Sequence, residues 1–216
     1  MILTVLALLG MQQGVADRLS GRVPPDVGAV VESLATSAAA RGLPLGPLIQ
    51  KAIEGSAKGI ASERVIAAVG LVAMQLDTAA AALRAGGIIS DTLAIAAGAF
   101  AINAGMDARD ITNLILRGGG QTAVNVRLEL NVAGTLVAMG VPSAEAANLV
   151  SASLQSGRPA TDLLLLPSRV QGEMARGATP AQAAAGLARA AAAQARRGPP
   201  PAHPQPPPHP PSPPHP

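Results

Sequence analysis

The stretch Gly42-Leu43-Pro44-Leu45-Gly46-Pro47-Leu48-Ile49-Gln50-Lys51-Ala52-Ile53-Glu54-Gly55-Ser56-Ala57-Lys58-Gly59 decides the fold. It is an aliphatic and polar helical segment held between two glycines. Glycine tolerates the left-handed conformation that ends a helix, so Gly42 and Gly59 read as helix stops. The same frame recurs from Gly87 to Gly105 and from Gly140 to Gly157. Each bracket opens on glycine, an aliphatic residue and a break: Gly42-Leu43-Pro44, Gly87-Ile88-Ile89-Ser90 and Gly140-Val141-Pro142-Ser143. Six positions beyond each closing glycine an aliphatic residue returns, as Val65, Ile111 and Leu163. These regularities predict an all-α chain of Gly-punctuated antiparallel helical hairpins. They form about three degenerate helix–turn–helix repeats, in a helical bundle or short solenoid. Longer helices over 62–84 and 121–139 join the copies.

Working outward, start signals agree with these stops. Asp26 follows Pro24-Pro25, and Ser62, Asp107 and Ser143 stand at expected N-caps. Thr179-Pro180-Ala181-Gln182 is a capping box with proline at the first helical position. Pro167 should break or kink a helix through Leu163–Leu166. The run Val124-Asn125-Val126-Arg127-Leu128-Glu129-Leu130-Asn131-Val132 alternates like a strand, but its neighbours are helical and it is read as helix.

The ends differ from this middle. Residues 1–16 form a short apolar run with Gly14 and Ala16 at the −3 and −1 positions of a cleavage site, and read as a signal peptide. Residues 17–25 read as a linker and 26–197 as the helical domain. From Gly198 the chain becomes Pro/His-rich, with twelve of its twenty prolines in Pro199–Pro216, and reads as a disordered or polyproline II tail. An exported location, periplasmic or extracellular, follows from the leader.

Composition narrows the chemistry. Hydrophobic residues make up 49% of the chain and charged residues 13%. Phe100 is the only aromatic residue and there is no cysteine. Disulfides, thiolate nucleophiles and Cys-ligated metals are excluded. His203, His209 and His215 all lie in the tail, so residues 26–197 contain no His, Cys, Tyr or Trp. A catalytic triad or His-ligated metal site would have to borrow from that tail. In polyproline II the tail histidines would share one face but stand about 19 Å apart, too far to chelate one ion. The net charge is +3 with an isoelectric point near 10.5, yet the arginines are dispersed. Nucleic acid is therefore not an expected partner. Gly86-Gly87 and Gly118-Gly119-Gly120 lack a Walker lysine or GxGxxG spacing and read as hinges. No metal and no cofactor is expected.

The polar patch Lys51, Glu54, Lys58 and Arg64 is the candidate interaction surface. It holds the only two lysines, seven residues apart, with Glu54 at i+3 from the first and i−4 from the second. Asp107, Arg109 and Asp110 read as helix-start charges. The resulting expectation is an exported structural or protein-interaction protein of the cell envelope, with no enzyme activity. Its partner would be an unidentified protein or envelope component. The alternatives are a hydrolase using paired carboxylates such as Glu54 and Asp91, or an amphipathic membrane-associated protein. No interior run reaches 18 uninterrupted apolar residues, and no transmembrane helix is expected in the mature chain.

Gly42-Leu43-Pro44, Pro47-Leu48-Ile49, Lys51-Ala52, Glu54-Gly55 and Lys58-Gly59 together resemble a stretch in uncharacterised, exported, alanine-rich helical proteins of bacteria. The similarity extends through Pro180–Ala195. It implies export and a helical fold, and brings no catalytic residue.

Overall fold

The computed structural model describes residues 14–89, 91–118, 123–157 and 159–197, apart from the side chains of residues 123 and 124. The first thirteen residues of the expected leader, Ser90, the Gly119-Gly120 part of the expected hinge and the tail from Gly198 lie outside the described residues. All regular structure in the described residues is helical. After α1, over residues 14–19, come α2 (Pro25–Ala40), α3 (Gly46–Ala57), α4 (Ser62–Ala85), α5 (Thr92–Asn103) and α6 (Ala108–Arg117). Then follow α7 (Ala123–Ala138), α8 (Ser143–Gln155), a 3₁₀ turn (Ala160–Leu165), α9 (Leu166–Ala175) and α10 (Pro180–Arg197).

The glycine stops are where the sequence puts them. Gly42, Gly59, Gly87, Gly105, Gly140 and Gly157 all have positive φ. At Gly42, with φ +71°, the Leu43 N–H reaches back to Ala38 O at 2.9 Å and closes α2. At Gly140, with φ +91°, the Val141 N–H does the same to Leu136 O at 3.1 Å. These bonds satisfy carbonyls that a helix end leaves open. Leu43 and Val141 are then buried, so each stop also seeds the core.

Each bracket holds one helix (α3, α5 or α8), not a helix–turn–helix unit. The joining segments differ: α4 follows the first bracket, α6 and α7 the second, and the 3₁₀ turn with α9 the third. Val65, Ile111 and Leu163 are nevertheless all buried at the start of the element after their bracket. The alternating run 124–132 is helical, inside α7. Its buried members Val126, Leu130, Val132, Ala133 and Leu136 sit at helical spacing.

Several start signals move. Prolines take N-cap places expected for Asp26 and Ser143: Pro24 precedes α2 and Pro142 precedes α8, both extended. The fixed φ of proline suits the extended N-cap conformation. Ser62 likewise begins α4 one residue after its cap, Ala61. The helical path does change just before Pro167, where the 3₁₀ turn ends at Leu165, and the proline itself sits in the first turn of α9, where its missing N–H costs nothing. Asp107 caps α6 by position, without a side-chain bond. The capping box is present: Thr179 N–H donates to Gln182 Oε1 at 3.0 Å, and Gln182 N–H to Thr179 Oγ1 at 3.3 Å. The expected linker 17–25 begins as helix, because Val15 and Leu19 are one turn apart and both join the core.

Much of the packing skips a chain neighbour, as where α5 lies on α7 and α8 on α10. α4 is the hub of the first half, touching α2, α3, α5 and α6. α5 lies between α4 and α7, and α8 packs on α6, α7 and α10. By length and composition alone α4 could cross a membrane; here Leu76, Leu83 and other residues of its inward face are buried. Gly98 of α5 meets Ala79 and Leu83 of α4: a Cβ there would stand 3.0 Å from Ala79 Cβ and 3.1 Å from Leu83 Cδ1. At Gly134 of α7 the approach to α5 is closer still: an added Cβ would stand 2.8 Å from Phe100 Cε1 and 2.9 Å from the Ala101 Cα. Helix backbones approach this closely only because these positions lack side chains.

Two substitutions separate close packing from helix propensity. Gly134→Ala should lower stability by about 1–3 kcal/mol, as overpacking does. Gly70→Ala, with open space around it on α4, should raise stability by roughly 0.5–1 kcal/mol. Chemical denaturation of the two variants against the parent chain checks both signs.

Candidate functional site

Three helices build an open groove of about 300 Å³. Helix α3 contributes Pro47, Gln50, Lys51 and Glu54, spaced i, i+3, i+4 and i+7 along one face. Helix α5 contributes Ala96, Ala99, Phe100 and Asn103 in the same spacing. Val72 and Gln75 of α4 lie between them. The Gln75 side-chain amide donates to Asn103 Oδ1 at 3.1 Å and ties α4 to α5. Phe100 is 43% exposed, an unusual place for the one aromatic ring of a chain whose core is aliphatic.

Two of the four expected patch residues, Lys51 and Glu54, line this groove. Glu54 accepts hydrogen bonds from Lys58 and, at 3.4 Å, from Lys51. The Lys58 bond first, and the Lys51 bond second, hold its carboxyl below the usual glutamate range. Lys58 thus acts on the groove through Glu54. Arg64 stands apart on the exposed first turn of α4, with no ion pair among the described residues.

The carboxylates weighed for hydrolysis are not brought together. Asp91 caps α5, accepting from Leu93 N and Ala94 N at 2.9 Å each. It lines a different depression, beside Arg41 and Arg84. Arg41 is itself engaged across helices with Asp77, at 3.0 Å. Among the described residues no group of three His, Cys, Asp or Glu side chains could hold a metal ion. Asp110 is less a simple dipole charge than expected. The Ser143 hydroxyl donates to it at 2.6 Å and accepts from Asp107 N–H at 3.0 Å, joining the starts of α6 and α8. Gly86 ends α4 and packs on Ile115, so the first expected hinge is a packed helix end.

No family model matches the chain, and neither the curated proteins nor the solved structures provide a significant match.

Groove residues Gln75, Phe100 and Asn103 escaped the sequence reading as a set, because only the packing of α4 on α5 joins them. Glu129 also escaped it. This residue of α7 is 1% exposed, and neither carboxylate oxygen has a hydrogen-bond partner among the described residues. It shares its helix face with Val126, Val132, Ala133 and Leu136, all buried. Burial pushes its carboxyl up from 4.5 to about 7. The helical periodicity of 124–136 holds the signal: a glutamate at a core position.

The two glutamates should behave oppositely in titration. In a Lys51→Ala, Lys58→Ala chain the Glu54 pKa should rise toward its ordinary value, read by NMR, with the melting temperature nearly unchanged. For Glu129, folded and unfolded chains both hold the proton well below pH 4.5, and only the unfolded chain releases it between 4.5 and about 7. Stability should therefore fall across that window, by about 3 kcal/mol in all, and level off above it. Glu129→Gln should remove that slope in urea denaturation repeated from pH 4 to pH 8.

Proposed function

We propose that this chain is an exported helical interaction protein whose α3–α4–α5 groove receives a protein or envelope partner. The observation that carries the reading is the exposed Phe100 ring set among Lys51, Gln50, Gln75 and Asn103 in an open groove. An aromatic anchor with polar groups around it is the usual composition of a recognition surface. The patch of Lys51, Glu54, Lys58 and Arg64 extends that surface along α3 and onto the start of α4.

Degenerate repetition supports the same reading. The three glycine brackets each hold a helix of twelve or thirteen residues, and each is followed by a buried aliphatic anchor at the sixth position. A recurring helix-and-anchor unit of this kind is what repeat proteins use to build a partner-binding face. Export rests on the apolar N-terminal run that closes at Gly14 and Ala16. Cleavage after Ala16 removes Val15 from the core and leaves Leu19 in place.

A second reading, membrane association, is favoured by one feature. The outward side of α4 carries Ala67, Leu71 and Met74 at helical spacing, with Leu71 and Met74 more than half exposed. Cell fractionation separates the two. The interaction reading expects a mature N-terminus at Asp17 by mass spectrometry and release by osmotic shock. It also expects a partner crosslinked through a photoreactive residue at position 51, and Gln50→Glu with Gln75→Glu should cut that crosslink by roughly tenfold. An intact N-terminus in the cytosolic fraction, or a crosslink indifferent to the groove, contradicts it. Retention in carbonate-washed membranes selects the second reading.

A further inference from the structure

The groove lined by α3, α4 and α5 carries several hydrogen-bond donors. Gln50, Gln75 and Asn103 carry amide N–H groups, and Lys51 an ammonium. Gln75 donates to Asn103 Oδ1, so the bond between them uses an acceptor of Asn103 and not its amide N–H groups. Glu54, the acidic acceptor on the rim, already receives both lysines. Pro47, Val72 and the Phe100 ring supply an apolar surface beside these donors.

A segment rich in proline is the complement of such a surface. Proline has no N–H to offer, while a polyproline II backbone leaves its carbonyls unbonded and presents flat rings. Grooves that take such segments combine aromatic faces with donors. The chain carries one: twelve of the residues in Pro199–Pro216 are proline, directly after α10 ends at Arg197. The 19 residues from Gly198 to Pro216 span about 59 Å as polyproline II. A compact body of this size has a radius of gyration of about 16 Å, so the segment is long enough to reach the groove from α10.

We propose that Pro199–Pro216 docks in the α3–α4–α5 groove of its own chain as a tethered occupant that an outside partner displaces. Tethering gives the segment an effective concentration of order millimolar, so a weak contact suffices to fill the groove. The inference rests on the groove being a binding surface, as proposed above, and names its resident occupant.

The absence of cysteine makes the test direct. In the full chain, Ser212→Cys provides the single thiol for a nitroxide label. Docking predicts that the label broadens the side-chain amide signals of Gln50, Gln75 and Asn103 far more than that of Asn148 on α8. Phe100→Ala should lower the docked fraction by roughly tenfold. Because that ring also packs on Gly134, Gln50→Ala with Lys51→Ala, both on the α3 side of the groove, serves as an independent variant and should do the same. The proposal is overturned if the groove amides broaden no more than Asn148. It also fails if neither variant reduces the effect, or if the broadening arises only between labelled and unlabelled chains in a mixture. Partner crosslinking at position 51 is read in a chain whose tail prolines 206–208 are replaced by glycine, so a failed tail leaves the partner reading to its own test.

Discussion

Close backbone approach between helices is the constraint on which the rest depends. α5 is placed by two close contacts that leave little or no room for a side chain: Gly98 against Ala79 and Leu83, and, tighter, Gly134 against Phe100 and Ala101. A core of alanine, leucine and valine removes less apolar area per residue than one containing aromatics. It compensates by packing backbones near one another, where dispersion contacts are dense. The Phe100 ring lies at that approach, with Cε1 and Cδ1 beside Gly134 and the ring still 43% exposed in the groove. The exposed aromatic surface and the contact that holds α5 on α7 thus belong to one residue.

Helix ends matter almost as much. The left-handed glycines reverse the chain within two or three residues and hand it to the next helix with an aliphatic residue already pointing inward, as at Leu43 and Val141. Polar ties then fix neighbours at the surface: Arg41 with Asp77 between α2 and α4, and Ser143 with Asp110 between α6 and α8. Such exposed ties orient more than they stabilise.

Glu54 and Glu129 show how environment divides one residue type. The first is exposed, paired with two lysines, and held ionised. The second is enclosed by valine, alanine and leucine without a partner, and holds its proton to near neutrality. The first sets the charge along the α3 side of the groove. The second makes the stability of α7 depend on pH.

What could be read from residues alone was local: the helical class, the glycine stops, the capping box at Thr179 and the i,i+3/i,i+4 pairing of Lys51, Glu54 and Lys58. These depend on conformational preference and hydrogen bonds within a few residues, and the chain carries that information wherever it folds. Helix starts were less legible, because Pro24 and Pro142 occupy the cap positions through their fixed backbone conformation, with no side-chain bond of the kind that marks a cap in sequence. Only tertiary structure set Asp91 apart from Glu54, gathered Gln75, Phe100 and Asn103 into one groove, and buried Glu129. Those outcomes turn on which helix lies against which, and that is settled by the fit of Gly98 and Gly134 to partners that are remote in sequence or on another helix.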